Sequence, residues 1–205
     1  TRDQLAEASR HFPRQTALDV DSFHPRLLGQ LSPEGFQVMI TLWCLMLKLG
    51  AVPTRLATII VVLLPKPEGG LRPIGLFAGI LRSMLHWLRS TVGAAWSATL
   101  QRPYWFGVAG STIEQCVWAN GLLAEYAAYV GEAAAGLLID IRKAYDNIKH
   151  GRLWIKGRKH AFPLTILRLL IVIYRLPRVI RLGIIATTPC KPTKSIAAGC
   201  HWAGL

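Results

Sequence analysis

Residues 137–147 constrain the fold of this chain more than any other stretch, because an apolar run ends directly in an acid. The run Leu-Leu-Ile at 137–139 is typical of a buried strand, and Asp140 follows it at once. An ionised carboxylate beside apolar residues is costly unless something neutralises it, and Mg²⁺ prefers carboxylate and carbonyl oxygens. The pattern therefore makes Asp140 a candidate metal ligand. The alternative is that Asp140 only ends a strand and that Asp146 caps the following helix.

A second segment, residues 59–76, predicts a β-hairpin with cations near its tip. Two apolar runs at 59–64 and 71–76 flank the sequence Pro-Lys-Pro-Glu-Gly-Gly, whose prolines and glycines favour a turn. The hairpin would present Lys66 near the tip and Arg72 on the return strand. A lysine point charge and a planar arginine fork suit a polyphosphate. The alternative is a hairpin whose charges are simply solvated.

Turn, cap and periodicity signals predict the remaining elements. A helix is expected over residues 33–49, since Ser32 is a good cap and Gly50 a good stop. Its apolar residues occupy more than one face, which predicts a buried helix. Helices are also expected over 78–100 (with Arg82 and Arg89 projecting), 111–130 and 163–175. Residues 147–159 are expected to be helical, or partly so, with interruptions at Gly151 and Gly157. A strand is expected over 136–141 and β structure over 178–187. Helices and strands mix without βα alternation, which favours an α+β fold.

Taken together and in this order, the two motifs resemble a known family. Pro-Lys-Pro-x-Gly-Gly-x-Arg-Pro-Ile at 65–74, followed by Asp-x-x-x-Ala-Tyr-Asp at 140–146, is similar to the reverse transcriptase domain of non-LTR retrotransposons and group II intron-like elements. The resemblance implies a right-hand polymerase fragment with fingers and a partial palm. Its segments would be an N-terminal helical extension at 1–52, a fingers region at 53–135 and the partial palm at 136–205.

The resemblance also implies roles for individual residues. Asp140 would be the catalytic carboxylate and, with the backbone carbonyl of Ile141, would hold Mg²⁺ or Mn²⁺. The nucleotide-binding residues would be Lys66, Arg72, Tyr145 and Gly199. Tyr145 would be the steric gate beneath the sugar, and the alternative for Tyr145 is a core aromatic behind the strand. Gly199 would lie close to the nucleotide and the template, where a side chain would intrude.

The implied activity is RNA-directed DNA polymerisation by a two-metal mechanism, with an RNA template, a DNA primer and deoxynucleoside triphosphates as partners. The 205 residues contain no Tyr-x-Asp-Asp sequence, so the metal site is expected to be incomplete and the chain inactive by itself. The family's Gly-x-x-Gln-Gly segment is also changed, because His201 and Trp202 follow Cys200 where a glutamine is usual. The alternative function is a non-catalytic nucleic-acid-binding remnant of a retroelement.

Charge gives independent support for a polyanionic partner. The chain has 24 Lys and Arg against 11 Asp and Glu, a net charge of +13. Five of these cations form a candidate nucleic-acid track: Lys149, Arg152, Lys156, Arg158 and Lys159. Trp154 could add a stacking surface to the track. The alternative is a solvated helix face with Trp154 packed inward.

Localisation is predicted from what the sequence lacks. A membrane surface remains a rival partner, since the mean hydropathy is +0.33, but no apolar run reaches the ~20 residues that a spanning helix needs. The first residues lack a signal-peptide layout. The four cysteines have no Cys-x-x-Cys spacing and are expected to be free thiols in a reducing compartment. We therefore expect an intracellular protein without membrane insertion, nuclear if the retroelement is eukaryotic.

Overall fold

The computed structural model describes residues 2–19, 21–100, 111–137 and 143–203, and over these ranges the protein is α+β. The helices are α1 (Arg2–Arg10), α2 (Pro33–Leu49), α3 (Gly79–Leu88), α4 (Ala94–Thr99), α5 (Ile113–Tyr129), α6 (Ala144–Asn147), α7 (His150–Lys159) and α8 (Leu164–Tyr174). The strands are β1 (Ile59–Pro65), β2 (Leu71–Leu76), β3 (Arg178–Leu182) and β4 (Ile185–Ala186). None of the described helices is both long enough and apolar enough to span a bilayer.

The chain divides into two compact units. The first contains the described residues up to Ser90 together with those from Lys143 onward, and it holds the whole sheet. The second contains the described residues between Thr91 and Leu137, chiefly α4 and α5. The functional boundaries predicted after residues 52 and 135 stay a prediction.

The sheet has the order β2-β1-β3-β4, and its first two strands form the predicted hairpin. Ile60 lies opposite Leu76 and Pro65 opposite Leu71 in an antiparallel ladder, which confirms the hairpin and its register. At the tip, Gly69 and Gly70 have φ of +90° and +84°, values that glycine adopts without a steric penalty. β3 runs parallel to β1 and antiparallel to β4.

The core of the first unit contains completely buried side chains from α3, α8 and the sheet. Met84 of α3, Ile173 of α8 and Ile59 of β1 are fully buried. α1 packs on α3, while α2 and α7 pack on α8. Burial of such side chains contributes roughly 1.5–3 kcal/mol each, so this apolar contact is the main source of stability.

Helix α2 has the predicted bounds but not the predicted burial. The Gly35 N–H donates to the Ser32 hydroxyl at 3.1 Å, and Gly50 ends the helix in a left-handed conformation. Val38 is nevertheless 69% exposed and Leu49 61% exposed, so the expectation of an entirely buried helix is wrong. The physical reason is that α8, its principal neighbour among the described elements, covers one face only.

The helix predicted over 78–100 is interrupted, and its arginines do not project. After α3 a π-helical turn spans Arg89–Gly93, and α4 follows. Arg82 donates to the carbonyls of Ala17 and Phe77 at 3.1 and 3.2 Å, while Arg89 donates to the carbonyl of His201. Burial lowers the pKa of Arg82. Both guanidinium groups therefore satisfy backbone carbonyls that have no partner within a helix.

The other element predictions have mixed outcomes. Helices α5 and α8 and the β structure after residue 178 are confirmed. The predicted interruption at Gly151 and Gly157 is wrong, since α7 is continuous from His150 to Lys159. A Cβ at Gly157 would clash with Leu167, so this glycine lets α7 approach α8 closely. Of the strand predicted over 136–141, residues 138–141 lie outside the described residues, and 136–137 have no regular structure.

We predict opposite stability effects for two glycine-to-alanine substitutions in helices. Gly79→Ala should destabilise the protein by about 2–3 kcal/mol, because the new Cβ would clash with the backbone carbonyl of Phe23. Gly151→Ala meets nothing within 4 Å in α7 and should stabilise by about 0.5–1 kcal/mol. Urea unfolding of both variants measures the difference, and equal effects would contradict the close approach of Phe23 to α3.

Candidate nucleotide and nucleic-acid site

One short segment, residues 194–200, holds the turn that carries Tyr145. The Ile196 N–H donates to the Tyr145 carbonyl at 2.8 Å, and the Ser195 N–H donates to the Ile148 carbonyl at 2.8 Å. Both bonds are of good length. The segment therefore fixes the backbone around the first candidate residue of the site.

The same segment is tied to the hairpin through β2. The Gly75 N–H donates to the Ala198 carbonyl at 2.7 Å. Gly199 has φ +98°, and a Cβ there would lie 2.5 Å from the Gly75 carbonyl oxygen and 3.2 Å from Ile74 Cγ2. Gly199 thus needs to be glycine because of its backbone conformation and because two backbones meet here. This packing accounts for the glycine without any bound nucleotide.

Lys66 and Arg72 occupy the outer part of the hairpin as predicted. Lys66 is half-buried at the turn, where its N–H donates to the Gly70 carbonyl at 3.1 Å, and Arg72 is exposed opposite Leu64. Arg72 is three residues from Gly75, roughly 10 Å along a strand. Neither Lys66 nor Arg72 forms an ion pair with a carboxylate of the described chain. Within the described ranges, no carboxylate therefore competes with an anionic ligand for these two cations.

Tyr145 lies in the one-turn helix α6 and is 44% exposed, so it is not a core aromatic of its unit. Lys143, with φ +52°, begins this turn, and the Asp146 N–H donates to its carbonyl at 3.1 Å. Asp146 does not cap the next helix, because α7 begins after Lys149 without a side-chain cap. The alternative interpretation, that Asp146 caps the following helix, is therefore wrong.

The metal site lies outside what the structure describes. Asp140 and Ile141 both fall within residues 138–142, which are not among the described ranges. Between residues 2 and 203, leaving aside the undescribed stretches, no three His, Cys, Asp or Glu side chains are grouped to hold a metal ion. The assignment of Mg²⁺ or Mn²⁺ to Asp140 and Ile141 stays a prediction.

The five cations of the predicted track are all exposed, and most of them share one face of α7. Arg152, Lys156 and Lys159 follow at spacings of four and three residues, which places them in one stripe along the helix. Lys149 precedes the stripe at the N-cap, whereas Arg158 lies round the side of the helix. Trp154 follows the buried His150 by one turn and is itself half-buried, which favours the inward alternative for this ring.

Charge is distributed along the chain more unevenly than the net value shows. Residues 143–194 contain half of the 24 Lys and Arg but a single acid, Asp146, of the 11 Asp and Glu. Counting charge by segment finds this asymmetry from the sequence. Within residues 143–194, Asp146 alone offsets this positive charge, so the segment favours an anionic partner.

The departure at His201 and Trp202 has a structural explanation. The Trp202 indole N–H donates to the Leu85 carbonyl at 2.9 Å, and the His201 ring lies 4.9 Å from the ring of His86 and 5.9 Å from that of Phe12. Burial, with the neighbouring His86 and Arg89, lowers the pKa of His201 to about 4. Both residues therefore pack toward α3 and help to anchor the end of the 194–200 segment.

Comparison with known proteins adds no relative. No protein-family model matches the chain, and no curated protein matches it. The family resemblance rests on the two sequence motifs.

We predict that Gly199→Ala lowers the free energy of unfolding more than Gly69→Ala does, although both glycines have similar φ values. Gly69 also has φ near +90° but meets nothing within 4 Å, so Gly69→Ala should cost only about 1 kcal/mol of backbone strain. Gly199→Ala adds a clash with β2 and should cost about 3 kcal/mol. Thermal and urea unfolding compare the two variants; similar losses would show that the contact between Gly199 and Gly75 is unimportant.

Proposed function

We propose that this chain is the fingers and part of the palm of an RNA-directed DNA polymerase of retroelement type. One observation supports the proposal above the others: the 194–200 segment bonds directly to the Tyr145 turn and to β2 of the hairpin. The two motifs that resemble the family are far apart in sequence, and a common site needs them to be connected. A right-hand polymerase is an α+β protein, as this one is.

In this proposal the side chains of the hairpin bind the incoming deoxynucleoside triphosphate. Lys66 and Arg72 offset charge on the triphosphate and on the pyrophosphate that leaves. Tyr145 is exposed beside the segment that carries Gly199, and its ring would lie beneath the sugar and exclude a 2′-hydroxyl. Mg²⁺, held by Asp140 and the Ile141 carbonyl, would activate the primer hydroxyl and stabilise the leaving oxygen.

The same proposal assigns the α7 stripe to the sugar-phosphate backbone of the RNA template and DNA primer. Exposed cations at helical spacing neutralise phosphates without reading sequence. The track begins at Lys149, four residues after Tyr145, so the nucleotide site and the track are neighbours in sequence. We place the protein inside the cell, and in the nucleus if its source is eukaryotic, since its templates are found there.

A second function, nucleic-acid binding without catalysis, is favoured by the charge asymmetry alone. Binding through phosphate contacts needs only the cations of residues 143–194, whereas catalysis needs carboxylates beyond Asp140. The two functions differ in one observable property, which is metal-dependent primer extension.

We predict that Asp140 is required for synthesis and Asp146 is not. The chain, joined to a palm segment that supplies a Tyr-x-Asp-Asp motif, should extend a primer on an RNA template with Mg²⁺. Asp140→Ala should abolish extension and keep nucleic-acid binding, because this carboxylate contacts metal rather than duplex. Asp146→Ala removes the same charge and should retain activity. Arg72→Ala should lower nucleotide use about 10- to 100-fold through loss of a charged hydrogen bond.

Two results would contradict this assignment. Normal extension by the Asp140→Ala variant would refute the catalytic assignment, and extension by the 205 residues alone would refute the need for further carboxylates. Failure of every form to extend, with binding intact, would favour the non-catalytic function.

We predict salt-sensitive, sequence-independent binding that depends on the α7 stripe. Affinity for an RNA–DNA hybrid should fall steeply with salt because bound phosphates release counterions. Replacing Arg152, Lys156 and Lys159 together with Ala should reduce the salt slope by about 3. The control replaces three other exposed cations, Arg14, Lys48 and Arg55, and removes the same charge elsewhere. Equal losses in both triple variants, measured by fluorescence anisotropy, would show that net charge and not the stripe determines binding.

A further inference from the structure

Ser195 is held in a backbone conformation that serine disfavours. Its φ is +96°, and the residue is only 5% exposed. A non-glycine residue in such a region costs roughly 1–3 kcal/mol and persists only when its surroundings fix it. Its hydroxyl oxygen is also buried without a hydrogen-bond partner in the described part of the chain. Neither the backbone nor the side chain of Ser195 therefore stabilises this conformation by itself.

His150 supplies a contact that fixes Ser195. The imidazole is 2% exposed, and its Nε2 lies 2.8 Å from the Ser195 carbonyl oxygen. The Nε–H of Arg175 donates to His150 Nδ1 at 3.3 Å. Because a guanidinium only donates, Nδ1 must carry a lone pair, so the ring is the neutral tautomer with hydrogen on Nε2. Arg175 thus orients His150 to donate to Ser195.

A tyrosine of α8 supports both ends of the same arrangement. Tyr174 stacks on His150 with ring centroids 6.4 Å apart and an interplanar angle of 22°. Its hydroxyl lies 3.5 Å from the Cys200 sulfur, next to Gly199, and the tyrosine is almost completely buried. The 194–200 segment is therefore contacted by His150 of α7 and Tyr174 of α8, in addition to its bonds to Tyr145 and Gly75.

We propose that His150, oriented by Arg175, is a positioning residue that fixes Ser195 and thereby sets the backbone of Tyr145 and Gly199. The consequence for nucleotide selection rests on the proposed function. The consequence for the backbone does not, since it follows from the hydrogen bonds alone.

The test compares two substitutions of His150 by residue-resolved amide hydrogen exchange. His150→Phe keeps a buried ring but cannot donate, and it should speed exchange of the Ile196 and Gly75 amides at least tenfold. The Ile59 amide, which donates to the Pro177 carbonyl at 2.9 Å in another part of the sheet, is the internal control and should change much less. His150→Gln can donate to Ser195 and accept from Arg175, and it should exchange nearly as slowly as the wild type.

A second variant pair separates this role from general support of the fold. In a Ser195→Gly background the strain is absent, so His150→Phe should speed exchange at Ile196 less than it does with serine present. If the phenylalanine variant fails to fold, Arg175→Met serves instead, with ¹⁵N shifts of the imidazole reporting loss of the single tautomer. Equal exchange in the Phe and Gln variants, or an unchanged Ile196 amide, would overturn the proposal.

A further measurement, selection between deoxyribonucleotides and ribonucleotides, tests the part of the proposal that rests on the proposed function. In the chain joined to the missing palm motif, His150→Phe should admit ribonucleotides several-fold more readily than His150→Gln, because the Tyr145 backbone is no longer fixed. Ribonucleotide selection that is the same in both variants, in an active enzyme, would overturn the link from His150 to Tyr145. If hydrogen exchange changes as expected but no variant polymerises, the proposed function is refuted and the role of His150 in fixing Ser195 is supported.

Discussion

The backbone hydrogen bonds of the 194–200 segment are the interaction on which the geometry of the candidate site depends. They run from Ile196 to Tyr145 and from Gly75 to Ala198, and so they join a helical turn to a strand of the sheet. Such bonds contribute about 1 kcal/mol each when formed and cost more than that if one partner is buried alone. The segment can pair on both sides only if Gly199 lacks a side chain and Ser195 accepts a strained φ. The residue types at positions 195 and 199 therefore decide whether the Tyr145 turn and β2 can be joined.

Electrostatics adds a second constraint that acts on partners rather than on the fold. Residues 143–194 hold half of the basic residues and one acid, and the α7 stripe presents three cations on one helix face. A surface of this kind attracts a polyanion at long range and orients it weakly. The hairpin cations differ in kind, because the turn and the β ladder hold Lys66 and Arg72 in defined places. Under the proposed function, the α7 stripe would attract the template and primer, and the hairpin cations would bind the triphosphate.

The parts of the fold that sequence predicted well are those with local causes. Turn chemistry at Pro65–Gly70 fixed the hairpin, and the Ser32 cap with the Gly50 stop fixed both ends of α2. The errors concern partners that are distant in sequence. Nothing near Arg82 indicates that it satisfies the Ala17 carbonyl, and nothing in α2 tells which of its faces α8 covers.

The candidate site shows the same division between local and distant causes. The motifs predict Lys66, Arg72 and Tyr145 as site residues; the structure confirms the hairpin and leaves Tyr145 exposed, while the roles of the three residues stay predictions. The contribution of His150 could not be predicted, since it depends on Ser195 and Arg175, which are 45 and 25 residues away. The predicted carboxylate, Asp140, lies outside the described residues.

Photo-crosslinking with an azido-substituted deoxynucleoside triphosphate tests the central claim most directly, which is that the hairpin and the Tyr145 turn form one nucleotide site. With Mg²⁺ present, the account predicts that mass spectrometry finds label on residues 65–72 and on residues 143–147, and that unmodified deoxynucleoside triphosphate removes both labels at the same concentration. Label on only one of the two segments, or label spread over α1 and α2 that competitor does not remove, would contradict the account.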